Sequence, residues 1–288
     1  VMGLSDKYKE NLWVIADGER KDRLAKNGLN INDKVYSLHI KTPAEAHGVD
    51  LLFVCTKYTQ LRDSLPDIET ITDKHTMVVS LLNGVDSEEL IGQRIGMEHM
   101  IYSLIRIASH RIGNSIHFSL PKGYNGIYIG IPNQPACQDP RLAAIAEIFA
   151  DTPVTLHLSD DILLDMWDKF GLNVSRNLPQ AILGVGIGVY DDSIYADAIM
   201  RRMRHEVVLV ANAKGIPLTD EFKAAKWLPS QRYSTLQDLD AHRHTEIDMF
   251  SGALIRMGKE VGVECPYNEM TYNLIKALEE KNDGKFDY

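Results

Sequence analysis

The chain has 288 residues, 44% of them hydrophobic and 25% charged, with 20 Gly, 11 Pro and 3 Cys, a composition that matches folded water-soluble proteins and excludes small disulfide-stapled scaffolds. Lys plus Arg number 31 and Asp plus Glu 40, for a formal charge of −9, which repels phosphate backbones and anionic lipid and argues against nucleic acid or a membrane surface as partner. Cys55, Cys137 and Cys265 have no C-x-x-C spacing, no apolar run reaches the roughly 18 residues of a membrane span, and no charged-then-apolar leader opens the chain, so reduced thiols and a cytoplasmic address are expected.

Short β-branched or apolar runs predict strands at residues 12–16, 35–40, 51–55, 77–82 and 100–105. Helical segments fall at 58–72 and at 86–95, the latter opening on Asp86-Ser87-Glu88-Glu89, acidic residues that suit a helix N-terminus. The alternation implies a parallel sheet. Residues 115–119 and 126–130 flank Pro121-Lys122-Gly123 and predict an antiparallel hairpin added to that sheet. From Ser159-Asp160-Asp161, an N-cap with an acidic first turn, the period becomes helical. Ile199, Met203, Val207 and Val210 mark one long helix ending near Gly215. Ile247, Phe250, Leu254, Met257 and Val261 mark another ending near Gly262, and Pro217 and Pro266 follow the two stops. The expected architecture is an α/β domain over residues 1–158 and an all-α domain over 159–288.

Chemistry-bearing residues cluster in both parts. Steps of four align Lys169, Asn173 and Asn177 on one helix stripe, an ammonium and two amides pointing the same way; a polar ligand and a solvated face account for this equally well. Glu246 stands at the start of the helix through Ile247, where it serves as a helix-end charge or as a catalytic carboxylate, and Ser234 lies in the connection before it. His242 and His244 diverge at i, i+2 and no carboxylate or Cys set completes a metal site, so no metal is expected. Lys57 and Asn83-Gly84 follow the third and fourth strands, at the carboxyl ends where open α/β sheets bind ligands. Asp17 ends the first strand, placed to face a ribose hydroxyl, with Arg20 three residues on suited to a phosphate. Gly184-Val185-Gly186-Ile187-Gly188-Val189 imitates a glycine fingerprint but follows a helix, so it is read as a helix-end or helix-packing feature.

Taken in order, Ala16-Asp17-Gly18-Glu19-Arg20 with Asn27-Gly28-Leu29, Lys57, Asn83-Gly84, the Lys169/Asn173/Asn177 helix and the segment Ser234 to Thr245-Glu246-Ile247-Asp248 resemble the ketopantoate reductase family over essentially the whole chain. The resemblance implies an N-terminal Rossmann-type domain, a helical C-terminal domain and a reaction site in the cleft between them. It implies NADP as cofactor, with hydride transfer from its reduced form, NADPH, to the C2 carbonyl of ketopantoate, in pantothenate and coenzyme A biosynthesis. Lys169 would be the general acid and Glu246 the carboxylate that tunes it and borders the cofactor. Asn173, Asn177, Ser234 and Asn83 would bind substrate, and Asp17, Arg20, Lys57 and Asn83 would bind cofactor.

The sequence departs from the family pattern in three places. The family opens with a strand, a G-x-G-x-x-G turn and a helix, whereas this chain opens just ahead of the second strand, and truncation is favoured over loss of that unit. Asp17 stands where many members carry an Arg facing the 2′-phosphate, which keeps NAD open as the alternative. Ile187 stands where some members place another substrate-contacting Asn, and Pro179 falls one residue later than usual. The rival readings are a related 2-hydroxyacid dehydrogenase with a different 2-oxo acid, and a non-catalytic binding protein without the cofactor loop. A homodimer is compatible with the amphipathic helices, which do not themselves specify an oligomeric state.

Overall fold

The computed structural model describes residues 1–107, 109–113, 115–119, 123, 125–222, 228–286 and 288. The chain divides into two compact units, one built from Val1–Leu82 and Asp86–Ile162, the other from Asn83–Val85 and Leu163–Tyr288. Among the described residues no helix is long and apolar enough to cross a membrane.

The first unit is the α/β part. Helix α1 (Ser5–Tyr8) precedes β1 (Trp13–Ile15), α2 (Gly18–Asn27), β2 (Leu29–Ile31), β3 (Lys34–Tyr36) and β4 (His39–Lys41). Then come β5 (Leu51–Val54), α3 (Tyr58–Ile71), β6 (Met77–Ser80), α4 (Ser87–Ile95) and β7 (Met100–Arg106). The unit closes with β8 (Ser109–Ile112), β9 (Ser115–Phe118), β10 (Gly126–Gly130), α5 (Pro140–Phe149) and β11 (Leu156–Leu158). The main sheet runs β11-β10-β7-β6-β5, with β5, β6 and β7 parallel, β7 and β10 antiparallel, and β10 and β11 parallel. Its apolar strands suit a sheet covered on both faces. Val79, Ile101, Ile127 and Ile129 pack with Leu142, Ile145 and Phe149 of α5 and with Leu4. Strands β1 and β4 form a separate parallel pair.

Two strand expectations need correction. The run at 35–40 is two strands in different sheets, β3 in a four-stranded sheet ordered β3-β2-β9-β8 and β4 beside β1. The reason is a turn at Asn32 (φ 50°) and Asp33 (φ 62°), which folds β2 back on β3 with Ile31 opposite Lys34. Two successive positive φ values are what a two-residue hairpin turn requires, and Asn and Asp tolerate them best after Gly. The expected hairpin between 115–119 and 126–130 does not form. Strand β9 pairs with β8, around Gly113 at φ 57°, and with β2, whereas β10 pairs with β7 and β11. Burial explains the choice, because Ile127 and Ile129 are core residues that a peripheral hairpin would leave wet. Pro121 and Lys122 of the expected turn lie outside the described residues, and Gly123 within them. Strands β2, β8 and β11, three or four residues long, had no recognised signal. Gly126 admits β11 closely, since a Cβ there would stand 2.3 Å from Thr155 O.

The second unit is helical. Helix α6 (Ile162–Leu172) continues through a π turn, Asn173–Asn177, into α7 (Leu178–Leu183). It is followed by α8 (Val189–Asp192), α9 (Ile194–Ala213), α10 (Ser234–Asp240), a second π turn at Asp248–Gly252, α11 (Ala253–Val261) and α12 (Pro266–Asn282). Ser193 caps α9 by accepting from Ala196 N, and Gly262 ends α11 at φ 73°. Met203, Val207 and Val210 on α9, with Leu254 on α11 and Ile275 on α12, are fully buried. The glycine series after α7 is a helix end, as its context suggested: Gly184 is the C-cap at φ 71°. Gly186 and Gly188 then run so close to Pro229 and Ser230 that a Cβ on either would clash.

Candidate active site

In the first unit the expected cofactor-facing residues stand at strand ends. Asp17 and Lys57 occupy the N-cap positions of α2 and α3, directly after β1 and β5, and neither side chain caps its helix. Both are exposed, as is Arg20 on the first turn of α2. Beside Lys57, the hydroxyl Oγ1 of Thr56 is buried without a hydrogen-bond partner among the described residues, an arrangement that normally calls for a ligand or an ordered water.

In the second unit Lys169 Nζ donates to Asn83 Oδ1 at 2.8 Å, with Gly84 at φ 97° turning the chain immediately after. Asn177, 3% exposed, donates from Nδ2 to Ser234 Oγ at 3.3 Å and accepts from Thr235 N at 3.3 Å. Ser234 is exposed and is the first residue of α10, not part of a connection. Asn173 is half-buried at the start of the π turn. The structure therefore pairs Lys169 with Asn83 and Asn177 with Ser234, and the single-stripe expectation changes. A π turn, with its i→i+5 bonding, is inserted between Lys169 and Asn177 and rotates the later residues off the four-step repeat. Such insertions recur at functional sites. The two π turns also pack against one another.

Glu246 is half-buried just ahead of the second π turn, and its carbonyl accepts from Met249 N and Phe250 N. It precedes the helix that was expected to contain it. Asp248 accepts from Tyr272 Oη at 2.7 Å and from Lys276 Nζ at 3.0 Å. Burial alone would push its carboxyl up, but the Tyr272 hydroxyl and the Lys276 ammonium hold it below the usual range. His242 and His244 lie in the connection after α10, not on a helix, and His244 pairs with Asp283 at 3.0 Å. Among the described residues no group of three or more His, Cys, Asp or Glu could hold a metal ion. Ile187 is buried in an apolar cluster with Tyr190, Ala196 and Met200.

Two supports escaped the sequence reading. Gln180, wholly buried, donates to Gln231 O at 2.8 Å and accepts from Tyr233 N at 2.9 Å, fixing the approach to Ser234. Arg204, 1% exposed, reaches Asp168 Oδ1 at 3.1 Å and Thr219 O at 2.9 Å beneath the Lys169 turn. Gly171 makes this possible, because a Cβ there would sit 2.1 Å from Arg204 Nη1. Nothing in the local pattern around residue 168 or 180 announces a partner more than 30 positions away.

Comparison with known proteins bears on the family and the fold. Residues 3–134 match the family model for ketopantoate reductase PanE/ApbA, and residues 161–279 match the model for its C-terminal part. A 2-dehydropantoate 2-reductase of Streptococcus pyogenes serotype M3 is 29% identical over 272 residues, covering 89% of this chain and 86% of that protein. D-mandelate dehydrogenase, solved with NADH and anilino(oxo)acetate, has a TM-score of 0.81 at 24% identity, over 97% of this chain and 94% of that one. A PanE/ApbA family ketopantoate reductase from Ralstonia eutropha JMP134 has a TM-score of 0.76 at 23% identity, over 96% and 93%. The structural likenesses establish the fold, a Rossmann-like domain with a helical C-terminal domain. With both family models matched in order along the chain, this protein belongs to the ketopantoate reductase family of oxidoreductases.

Proposed function

We propose that the chain reduces the C2 carbonyl of a 2-oxo acid, ketopantoate, to the hydroxyl of pantoate, the step that feeds pantothenate and coenzyme A synthesis. The observation that carries the reading is the Lys169–Asn83 hydrogen bond, which holds an ammonium in place on a half-buried helix face. An ammonium group so held is the kind of proton donor that a developing alkoxide needs. The nicotinamide dinucleotide supplies the hydride when bound. The residues of the first unit fit such a group: Asp17 offers a carboxylate to ribose hydroxyls, Arg20 and Lys57 offer charge to phosphate, and the Thr56 hydroxyl awaits a partner.

Lys169 gives its proton to the C2 oxygen as negative charge develops there, so that a hydride on carbon and a proton on oxygen complete the alcohol. Asn83 orients the ammonium. Asn177 and Ser234, held to each other, present amide and hydroxyl groups to the carboxylate and hydroxyls of the substrate, and Asn173 adds a further amide. Glu246 holds the Lys169 ammonium or the product hydroxyl. NADPH is taken as the donor on the strength of Arg20, with NADH the alternative that Asp17 favours. A second reading, a different 2-oxo acid, is favoured by Ile187, whose buried apolar side chain offers no hydrogen bond where some relatives present an amide.

The test is a substrate panel in which oxidation of NADPH and of NADH is followed with ketopantoate, phenylglyoxylate and pyruvate. Ketopantoate should give the highest kcat/KM. Preference for the aromatic acid would move the assignment to the second reading, and no oxidation with any of them would overturn both.

A further inference from the structure

The carboxylate of Glu246 is short of space for error, since a misplacement of about 1 Å at a reacting centre can cost on the order of a hundredfold in rate. Yet Glu246 lies outside any α-helix, in the bend that leads into the second π turn. What fixes that bend is α12. On one side, Thr245 donates both its backbone N–H and its hydroxyl to a single oxygen, Glu279 Oε1, each at 2.7 Å. Thr245 Oγ1 in turn accepts from Ile247 N at 3.2 Å. On the other side, Asp248 is bound by Tyr272 and Lys276, and Lys276 Nζ also reaches Glu279 Oε2 at 3.2 Å. Tyr272, Lys276 and Glu279 occupy positions i, i+4 and i+7, one face of α12.

Glu279 is 2% exposed. A buried carboxylate is costly unless paired and fully hydrogen-bonded, and this one is: two Thr245 donors and the Lys276 ammonium surround it, with His244 Nδ1 at 3.6 Å. The bonds that satisfy it are the bonds that pin Thr245, the neighbour of Glu246. We propose that Glu279 is a positioning residue for the reaction, setting the Glu246 carboxylate through Thr245 while Lys276 couples that anchor to Asp248. The inference rests on the reading of Glu246 as the carboxylate at the reacting centre.

The experiment compares Glu279→Ala, Glu279→Gln and Thr245→Val, each alone and combined with Glu246→Gln, in the full chain with ketopantoate and saturating NADPH. Glu279→Ala should lower kcat by about tenfold or more while the cofactor Kd stays within about twofold. Glu279→Gln keeps an acceptor for both Thr245 donors and should recover most of that loss. In the Glu246→Gln background Glu279→Ala should cost less than about twofold, the non-additivity of a residue that acts through another. Should Glu279→Ala fail to fold, Thr245→Val removes one of the two anchoring bonds with little change of shape and should give a smaller loss of kcat that also vanishes in the Glu246→Gln background. Multiplying losses, or full activity in a folded Glu279→Ala or Thr245→Val, overturns the proposal. A silent Glu246→Gln removes the underlying role of Glu246, and the positioning role falls with it; a costly Glu246→Gln beside a silent Glu279→Ala removes only the positioning role.

Discussion

The residues assigned to cofactor and those assigned to chemistry are held in different ways. Asp17, Arg20 and Lys57 in the first unit are exposed, at the starts of the helices that follow β1 and β5, and neither Asp17 nor Lys57 caps its helix with its side chain. In the second unit Lys169, Asn177, Ser234 and the bend around Glu246 are held by side chains that reach across the helices: Asn83, Gln180 and Glu279, with the Arg204–Asp168 pair beneath. The difference teaches where each region tolerates change. A group at a strand end can be exchanged without disturbing neighbours, so substitutions there should retune binding. A group in a bonded set carries its partners with it, so substitutions there should alter turnover or the fold itself.

The largest effect expected from this contrast is on stability. Asp168→Ala leaves the buried Arg204 guanidinium without its carboxylate, and breaking a buried pair in this way costs about 3–5 kcal/mol. Denaturant unfolding of the variant should show it. A loss below about 1 kcal/mol would mean that the support under Lys169 is dispensable, and the contrast would fail.

A sharper version of the comparison uses a buried side-chain set in the first unit, where Ser80 and Ser87 share a hydrogen bond and Ser87 Oγ donates to Glu88 at 2.8 Å. Burial pushes the Glu88 carboxyl up from 4.5 to about 7, against the opposing Ser87 hydrogen bond. Below pH 4.5 the group is neutral in both folded and unfolded chains. As pH rises the unfolded chain ionises first, so stability is lost between about pH 4.5 and 7 and levels off above, by on the order of 3 kcal/mol. Glu88→Gln should flatten that slope. A slope unchanged in the variant would place its origin elsewhere.

The smallest expected effect belongs to the exposed strand end. Asp17→Ser should raise the ratio of kcat/KM for NADPH over NADH by about tenfold, roughly 1.4 kcal/mol, with little change in kcat. A fall in kcat without a change of ratio would show that the two regions are not separable as described.

What the sequence disclosed follows the range of the forces involved. Helix periodicity, the Ser159-Asp160-Asp161 start and the glycine stops near Gly215 and Gly262 are local, and the helical half was legible from them. The Lys169 and Asn177 positions were legible because the residue types are unusual on an amphipathic helix, but the π turn between them was not, since i→i+5 bonding has no composition of its own. Strand pairing is non-local. The runs at 115–119 and 126–130 were adjacent in sequence and a turn lay between them, yet the burial of Ile127 and Ile129 sends β10 to the centre of the main sheet. The Asn32-Asp33 turn was readable and overlooked. Glu279 was not readable at all: Thr245 and its acceptor are 34 positions apart, and a Glu near the end of a helix otherwise resembles any solvated residue.

The most direct test of the account is the kinetics of Lys169→Ala with ketopantoate, measured as kcat together with the cofactor Kd. The account predicts a loss in kcat of about a hundredfold or more at an unchanged cofactor Kd, because the ammonium acts only on charge that develops during hydride transfer. Equal losses in turnover and cofactor binding, or full turnover without the ammonium, would contradict it.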